Sequence, residues 1–178
     1  MAEQVLVVYF SHSGNTRKIA NLIHQEVGGN IHEIQPERPY PDSYNAVVKQ
    51  AKKEIQAGHK PVLASTLNPI EAYDTIFVGS PNWCGTIAPP VATFLADNDL
   101  SGKTIVPFCT HGGDGLGKIA LDIARLCPRS TILSGFEIYE SGTGNAQAKV
   151  SAWLREVGWS RRTVRDETNP AAAACAGC

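Results

Sequence analysis

An excess of charge of one sign and long apolar runs are both missing from this chain. Its 178 residues include 16 Lys or Arg and 17 Asp or Glu, which gives a formal net charge of -1. Binding to a nucleic-acid backbone needs clustered basic residues, so we expect no nucleic-acid partner. No apolar run approaches the roughly 18 residues that span a bilayer. The first four residues carry no basic segment or cleavage site, and we expect a cytoplasmic protein.

Residue spacings that typify metal sites and disulfide frameworks are also missing. The cysteines are odd in number, at positions 84, 109, 127, 175 and 178, and no secretory signal precedes them. Cys109 and Cys127 lie in apolar contexts, which favours small buried side chains. Cys175 and Cys178 have the spacing of a redox dithiol but follow four alanines. We interpret residues 161–178 as a tail outside the core, and residues 1–160 as one domain.

Strand-like and helix-like segments alternate along residues 1–160, and hydrophobic residues make up 43% of the chain. This alternation predicts an α/β fold, a doubly wound parallel sheet with helices on both faces. We predict strands at Gln4–Phe10, Asn30–Gln35, Thr75–Gly79, Thr104–Cys109 and Thr131–Tyr139. We predict helices at Asn15–Glu26, Tyr44–Gln56, Pro90–Ala96, Gly115–Leu126 and Asn145–Val157. Five strands with five helices suggest the strand order 2-1-3-4-5, with ligands beyond the carboxyl ends of the strands.

The segment from Ser11 to Thr16 joins the first strand to the first helix and consists mainly of small polar residues. A helix start offers unpaired N–H groups and a partial positive charge, and the hydroxyl and amide side chains add neutral donors. The segment has neither the Lys of a nucleoside-triphosphate loop nor the glycines of a dinucleotide fingerprint. It therefore predicts a site for a phosphate monoester. The alternative is a helix cap that binds nothing.

Segments rich in Gly, Ser, Thr and Asn also follow the third and fourth strands, at residues 80–86 and 110–115. The carboxyl ends of neighbouring parallel strands lie side by side, so we expect these two segments to converge with the Ser11–Thr16 segment. Such a convergence is harder to explain as ordinary turns than any one segment alone.

The strand–Ser-x-Ser-Gly-Asn-Thr–helix unit, together with residues 80–90 and 101–113, resembles a flavodoxin-like subfamily of small FMN proteins. The resemblance covers residues 5–158 and implies FMN, the five-stranded doubly wound fold and a redox function. We predict no catalytic side chain and no metal site. The cofactor-binding residues that we predict are Ser11, His12, Ser13, Gly14, Asn15, Thr16, Pro81, Asn82, Trp83, Cys84, Gly85, Thr86, Thr110, His111, Gly112 and Gly113.

Three of these residues have a predicted role toward the flavin ring. Trp83 offers a flat apolar wall, unless it is a core aromatic. Cys84 is more simply a space-filling residue than a redox thiol, because no neighbouring base marks it as a thiolate. His111 could stabilise the negative charge of the reduced ring, with Asp114 opposing it, or only hydrogen-bond the backbone.

The resemblance leaves several functions open. One is an electron carrier with a redox partner protein. Another is an FMN reductase that passes electrons from NAD(P)H to a quinone or similar small acceptor. A binding module for a phosphorylated ligand is a third, non-redox possibility. The balanced charge weakens the carrier hypothesis, whereas acidic residues clustered around the Trp83 segment would favour it.

Overall fold

A computed structural model describes residues 3–67 and 69–159. The described residues form a six-stranded parallel sheet and five α-helices. The strands are β1 (Val5–Tyr9), β2 (Asn30–Glu33), β3 (Thr75–Pro81), β4 (Thr104–His111), β5 (Thr131–Ile132) and β6 (Phe136–Tyr139). The helices are α1 (Asn15–Val27), α2 (Tyr44–Ala57), α3 (Pro89–Asp97), α4 (Ile119–Leu126) and α5 (Ala146–Glu156). The predicted tail lies outside the described residues.

The strand order is β2-β1-β3-β4-β5, and β6 also pairs with β4. This confirms the predicted doubly wound fold and its strand order. Strands β1, β3 and β4 are buried almost throughout, as expected of parallel strands covered on both faces. Helices α1 and α5 pack with Val7 and Phe77 on one face. Helices α2, α3 and α4 pack with Leu6 and Ile76 on the other.

The fifth predicted strand, Thr131–Tyr139, is wrong as a continuous element, because it divides into β5 and β6. Strand β5 pairs with the start of β4 and β6 with its end. The Leu133 N–H donates to the Ile105 carbonyl at 2.9 Å. In a parallel ladder the next hydrogen bond would run from the N–H of residue 107 back to Leu133. Residue 107 is proline, which has no N–H, and the ladder stops there.

The fourth helix begins four residues later than predicted, at Ile119 instead of Gly115. Gly115 and Gly117 adopt left-handed backbone angles, with φ of 64° and 55°. Such angles are incompatible with a right-handed helix. The residues between β4 and α4 are therefore a glycine-rich loop, which lies beside the carboxyl end of β3.

Candidate functional site

A cavity of about 650 Å³ lies beyond the carboxyl ends of β1, β3 and β4. The three polar segments predicted to converge all contribute to it. The predicted residues that line it are His12, Ser13, Asn15, Pro81, Asn82, Trp83, Cys84, Thr110, His111 and Gly112. The order of the strands thus places segments that are far apart in sequence around one space.

The Ser11–Thr16 segment forms a turn that leads directly into α1. Gly14 adopts a left-handed conformation with φ of 92°. The buried Ser11 hydroxyl oxygen accepts hydrogen bonds from the N–H groups of Gly14, at 3.1 Å, and Arg17, at 3.2 Å. Within residues 3–67 and 69–159, no acceptor is found for the N–H groups of Ser13, Asn15 and Thr16. These donors are available to an anion at the start of the helix.

Thr16 and Thr110 connect this turn to the end of β4. Both side chains are buried, and their hydroxyl groups hydrogen-bond each other. Thr16 is thus set back from the cavity surface, which Thr110 lines. This hydrogen bond connects the start of α1 to the carboxyl end of the central strand β4.

Residues 83–86 form a tight turn after β3. The N–H of Trp83 donates to the Thr86 carbonyl at 3.0 Å, and the Thr86 N–H donates back to Trp83 at 3.2 Å. Cys84 and Gly85 lie between them with φ of 55° and 82°. Positive φ at both central residues is typical of a two-residue turn between antiparallel segments. Cys84 is exposed at the tip of this turn.

Asn82 fixes this turn against the loop that follows β4. Its side-chain amide donates to the Gly115 carbonyl at 2.7 Å and accepts from the Gly85 N–H at 2.9 Å. The Lys118 N–H donates to the Gly85 carbonyl at 2.7 Å. The two loops on this side of the cavity therefore hold each other in place.

Trp83 is half-buried within a group of aromatic rings. Its ring centroid lies 4.9 Å from that of Tyr40, 5.4 Å from Phe10 and 6.1 Å from His12, all with steep interplanar angles. Edge-to-face contacts of this kind stabilise a fixed ring orientation. The Tyr40 hydroxyl donates to Glu54 at 2.6 Å. Burial, together with Glu54, raises the pKa of Tyr40.

His111 is the last residue of β4, and both of its ring nitrogens are engaged. Nδ1 accepts a hydrogen bond from the Gly113 N–H at 3.0 Å. Nε2 lies 3.3 Å from a carboxylate oxygen of Glu137, on the neighbouring strand β6. The carboxylate that contacts His111 is therefore that of Glu137, whereas the sequence suggested Asp114.

Six of the predicted residues lie near the cavity without lining it. Ser11, Gly14, Thr16, Gly85, Thr86 and Gly113 are outside the cavity lining. Each of them takes part in a hydrogen bond described above, and the Thr86 hydroxyl also donates to Asp122 on α4.

No three His, Cys, Asp or Glu side chains of the described residues are grouped so that they could hold a metal ion. None of the helices in these residues is long and apolar enough to cross a membrane.

A further wall of the cavity was missed at the sequence level. It consists of Asp42, Tyr44, Val47, Val48, Ala51 and Glu140, and the expected Asp114 lines the same cavity. Most of these residues belong to the start of α2 and the residues just before it. The helical spacing of Val47, Val48 and Ala51 is that of any amphipathic helix, so their sequence signal did not distinguish a cavity wall from the core.

Comparison with known proteins agrees with this geometry. A sequence profile of the flavodoxin family matches residues 4–157. The chain belongs to the flavodoxin family. No curated protein matches it.

Several solved structures resemble this flavodoxin-family chain. A protein of Bacteroides eggerthii DSM 20697, described as a flavoprotein, is 28% identical with a TM-score of 0.77, covering 88% of this chain and 99% of that one. A second, of Bacteroides uniformis ATCC 8492, is 26% identical with a TM-score of 0.78, covering 87% and 99%. A flavoprotein of Lactobacillus acidophilus NCFM, solved in complex with FMN, is 23% identical with a TM-score of 0.69, covering 85% and 99%.

The charge around the cavity of this flavodoxin-family chain has one sign. Among the described residues that line it, the carboxylates are Asp42, Asp114 and Glu140, and none is lysine or arginine. The whole chain is nearly neutral, so the lining of this cavity is more acidic than the chain as a whole.

Proposed function

We propose that this protein binds FMN in the cavity and exchanges electrons with a basic surface of a partner protein. The observation that carries the partner assignment is the set of three carboxylates around a cavity without lysine or arginine. Acidic residues near the Trp83 turn are the feature that favours an electron carrier over a reductase. Their field attracts cationic surfaces and repels anionic ones.

The start of α1 fits the phosphate of FMN. Three N–H groups there, of Ser13, Asn15 and Thr16, have no acceptor within the described part of the chain. The hydroxyl and amide groups of Ser13 and Asn15 line the same end of the cavity. Neutral donors at a helix start suit a single phosphate, and the chain has no fingerprint for a second nucleotide. Family membership likewise supports FMN as the cofactor.

The opposite end of the cavity fits a planar ring. Trp83 supplies an apolar aromatic surface held by three neighbouring rings, and residues 81–84 and 110–112 line the cavity with it. When bound, FMN accepts and returns one or two electrons. The protein's part is to hold the ring, limit its access to water and set the charge around it.

A direct donor such as NADPH is less compatible with this charge pattern. Its phosphate groups are anionic, and the three carboxylates at the cavity repel them. A partner protein that presents Lys and Arg is attracted by the same residues. Electrostatic attraction of this type raises the association rate and weakens as ionic strength rises.

The cofactor is tested by mass analysis of the chromophore released from the purified protein. We expect FMN. Release of FAD, or a colourless protein that binds no added flavin, would contradict the proposal, and the second result would favour the non-redox binding module.

The partner class is tested by electron transfer from the reduced protein to a basic acceptor, cytochrome c, at increasing ionic strength. We expect a rate that falls with salt and falls further in the triple variant Asp42→Asn, Asp114→Asn, Glu140→Gln. The matched control is Glu71→Gln, Asp97→Asn, Glu156→Gln, which removes three exposed carboxylates at the opposite end of the sheet. Equal rates for the two triple variants would overturn the partner assignment.

A second candidate function is the FMN reductase, and the α2 wall is the observation that favours it. Val47, Val48 and Ala51 extend the cavity with apolar surface beyond the three polar segments. Such a wall would suit a second planar ligand beside the flavin. Anaerobic addition of NADPH distinguishes the two functions: rapid bleaching of the flavin absorbance favours the reductase, and an unchanged spectrum favours the carrier.

A further inference from the structure

We infer that Glu137, which does not line the cavity, is the positioning residue that fixes the His111 loop at the flavin ring. Glu137 lies on β6, opposite Cys109 in the register of the sheet. Its carboxylate lies beside His111, which lines the cavity, and beside Gly115 in the loop that follows β4. The inference rests on the proposed function, because it takes the cavity as the flavin site.

One hydrogen bond and one nearby carboxylate define the tautomer of His111. Nδ1 accepts from the Gly113 N–H, so it carries no proton. The ring proton is therefore on Nε2, which faces the Glu137 carboxylate at 3.3 Å. The negative charge of the Glu137 carboxylate lies beside Nε2, so it favours the form whose proton is on Nε2. That form in turn leaves Nδ1 free to hold Gly113.

Glu137 also lies directly against the loop backbone. A Cβ atom added to Gly115 would lie 2.5 Å from a Glu137 carboxylate oxygen, so a side chain at this position would displace the carboxylate. The carbonyl of the same Gly115 accepts the hydrogen bond from the Asn82 side chain. Glu137 thus contacts the point where the two loops of the ring site are joined.

The attraction between Glu137 and His111 contributes little to the stability of the protein. The Glu137 side chain is 51% exposed, and an exposed ion pair contributes about 0–1 kcal/mol to stability. Its effect is instead to select one ring tautomer and one loop conformation before the flavin arrives. Pre-organisation of this kind increases affinity because less has to be ordered on binding.

The test compares Glu137→Leu with Glu137→Gln, which keeps a carbonyl oxygen that can accept from Nε2–H. The first measurement is the ¹⁵N spectrum of the His111 ring at pH 8.5, recorded without flavin. We expect the Nε2–H tautomer in the parent and in Glu137→Gln, and a mixture of tautomers in Glu137→Leu. Because no flavin is present, this measurement stands even if the FMN assignment fails.

The second measurement is the FMN dissociation constant by fluorescence titration. Partners that orient a ligating histidine account for about 10- to 100-fold in affinity at metal sites, and we expect about tenfold weaker binding for Glu137→Leu. Glu137→Gln should bind like the parent. Glu140→Gln removes a cavity-lining carboxylate that forms no ion pair with His111 within the described residues, and it should leave the tautomer unchanged.

Two results would overturn the inference. One is a Glu137→Leu variant with the parent's tautomer or the parent's affinity. The other is a loss of affinity as large in Glu137→Gln as in Glu137→Leu, which would show an effect of charge and not of position. If Glu137→Leu does not fold by circular dichroism, Glu137→Ala replaces it, with the same expected results.

Discussion

The hydroxyl oxygens of Thr16 and Thr110 lie 2.8 Å apart in the interior, where each side chain is at most 4% exposed. One hydroxyl donates to the other, and the remaining proton of the pair is free for another acceptor. This contact links the first turn of α1 to the end of β4, and so links the predicted phosphate site to the strand that carries His111. The same hydrogen bond therefore contributes to the packing of the fold and to the position of the predicted phosphate site.

Substitution of Thr16 by Val should affect both stability and flavin binding. The variant leaves the Thr110 hydroxyl buried without its partner, which costs about 1–3 kcal/mol in the free energy of unfolding. The Thr16–Thr110 hydrogen bond positions the first turn of α1, whose N–H groups are proposed to hold the phosphate. A hydrogen bond to a charged group contributes about 1.5–3 kcal/mol, so disturbing one of these donors should weaken FMN binding about tenfold or more. Urea unfolding and fluorescence titration measure the two effects.

The double variant Thr16→Val, Thr110→Val separates the effect on stability from the effect on FMN binding. Removing both partners leaves no unsatisfied hydroxyl, so stability should return close to that of the parent. FMN binding should stay weak. Parent-like affinity in the stable double variant would show that the Thr16–Thr110 hydrogen bond does not position the phosphate donors.

Replacement of Trp83 by Ala should weaken flavin binding and expose the ring to solvent. The side chain supplies aromatic surface to the cavity and is held by Phe10, Tyr40 and His12. Trp83→Phe retains a smaller aromatic wall and should fall between the parent and Trp83→Ala. Titration of the apoprotein and quenching of flavin fluorescence by iodide check both points, and identical quenching in all three proteins would place the ring away from Trp83.

His111→Gln should lower the two-electron potential of the bound flavin. The imidazole can gain a positive charge when negative charge develops on the ring, whereas glutamine cannot. A coupling of about 1.4 kcal/mol corresponds to about 30 mV for a two-electron couple. Spectroelectrochemistry measures the shift. His12→Gln is the control, since it removes the other cavity-lining imidazole, and an equal shift in both variants would contradict a specific role for His111.

The buried cysteines should make the protein less stable in alkali. Burial raises the pKa of Cys127 from 9.0 to about 11, and burial with the nearby Glu137 raises that of Cys109 to about 12. The unfolded thiols lose their protons first, so stability is full below pH 9 and falls as the pH rises toward 11. Cys127 alone should cost about 1–2 kcal/mol by pH 10.5.

Urea unfolding at pH 8.0 and pH 10.5 checks this expectation. Cys127→Ala should show a smaller decrease between the two pH values than the parent, even if the substitution lowers both midpoints. Alkylation followed by peptide mapping gives a second measurement: within the described residues, Cys84 should react in the native state, and Cys109 and Cys127 only after unfolding.

The core of the fold could be predicted from the sequence because its strands are unambiguous. The β-branched runs of β1, β3 and β4 are buried on both faces, and the connections between strands constrain their order. The division of the last strand was not predicted, although its cause, Pro107, is in the sequence. Pro107 lies on β4, not on the strand that divides, and only the pairing register between these strands shows which hydrogen bond the proline removes.

The ligand site could be predicted where it depends on chain order and not where it depends on side-chain contacts. The convergence of residues 11–16, 80–86 and 110–115 follows from the topology. The contact between His111 and Glu137 joins residues 26 positions apart through the pairing of β4 with β6. Neither residue type nor spacing signals such a pair. The α2 wall was missed for a similar reason, since apolar residues at helical spacing usually indicate only a core face.

The division of the sheet edge into β5 and β6 also affects how this protein meets other copies of itself. An exposed edge strand presents a row of free N–H and carbonyl groups, which can template pairing with another chain. Here the edge consists of two residues and then four, separated by Leu133, Ser134 and Gly135. A strand of another molecule therefore cannot pair continuously along this edge. The N–H that Pro107 lacks in β4 thus makes this edge of the sheet less prone to aggregation.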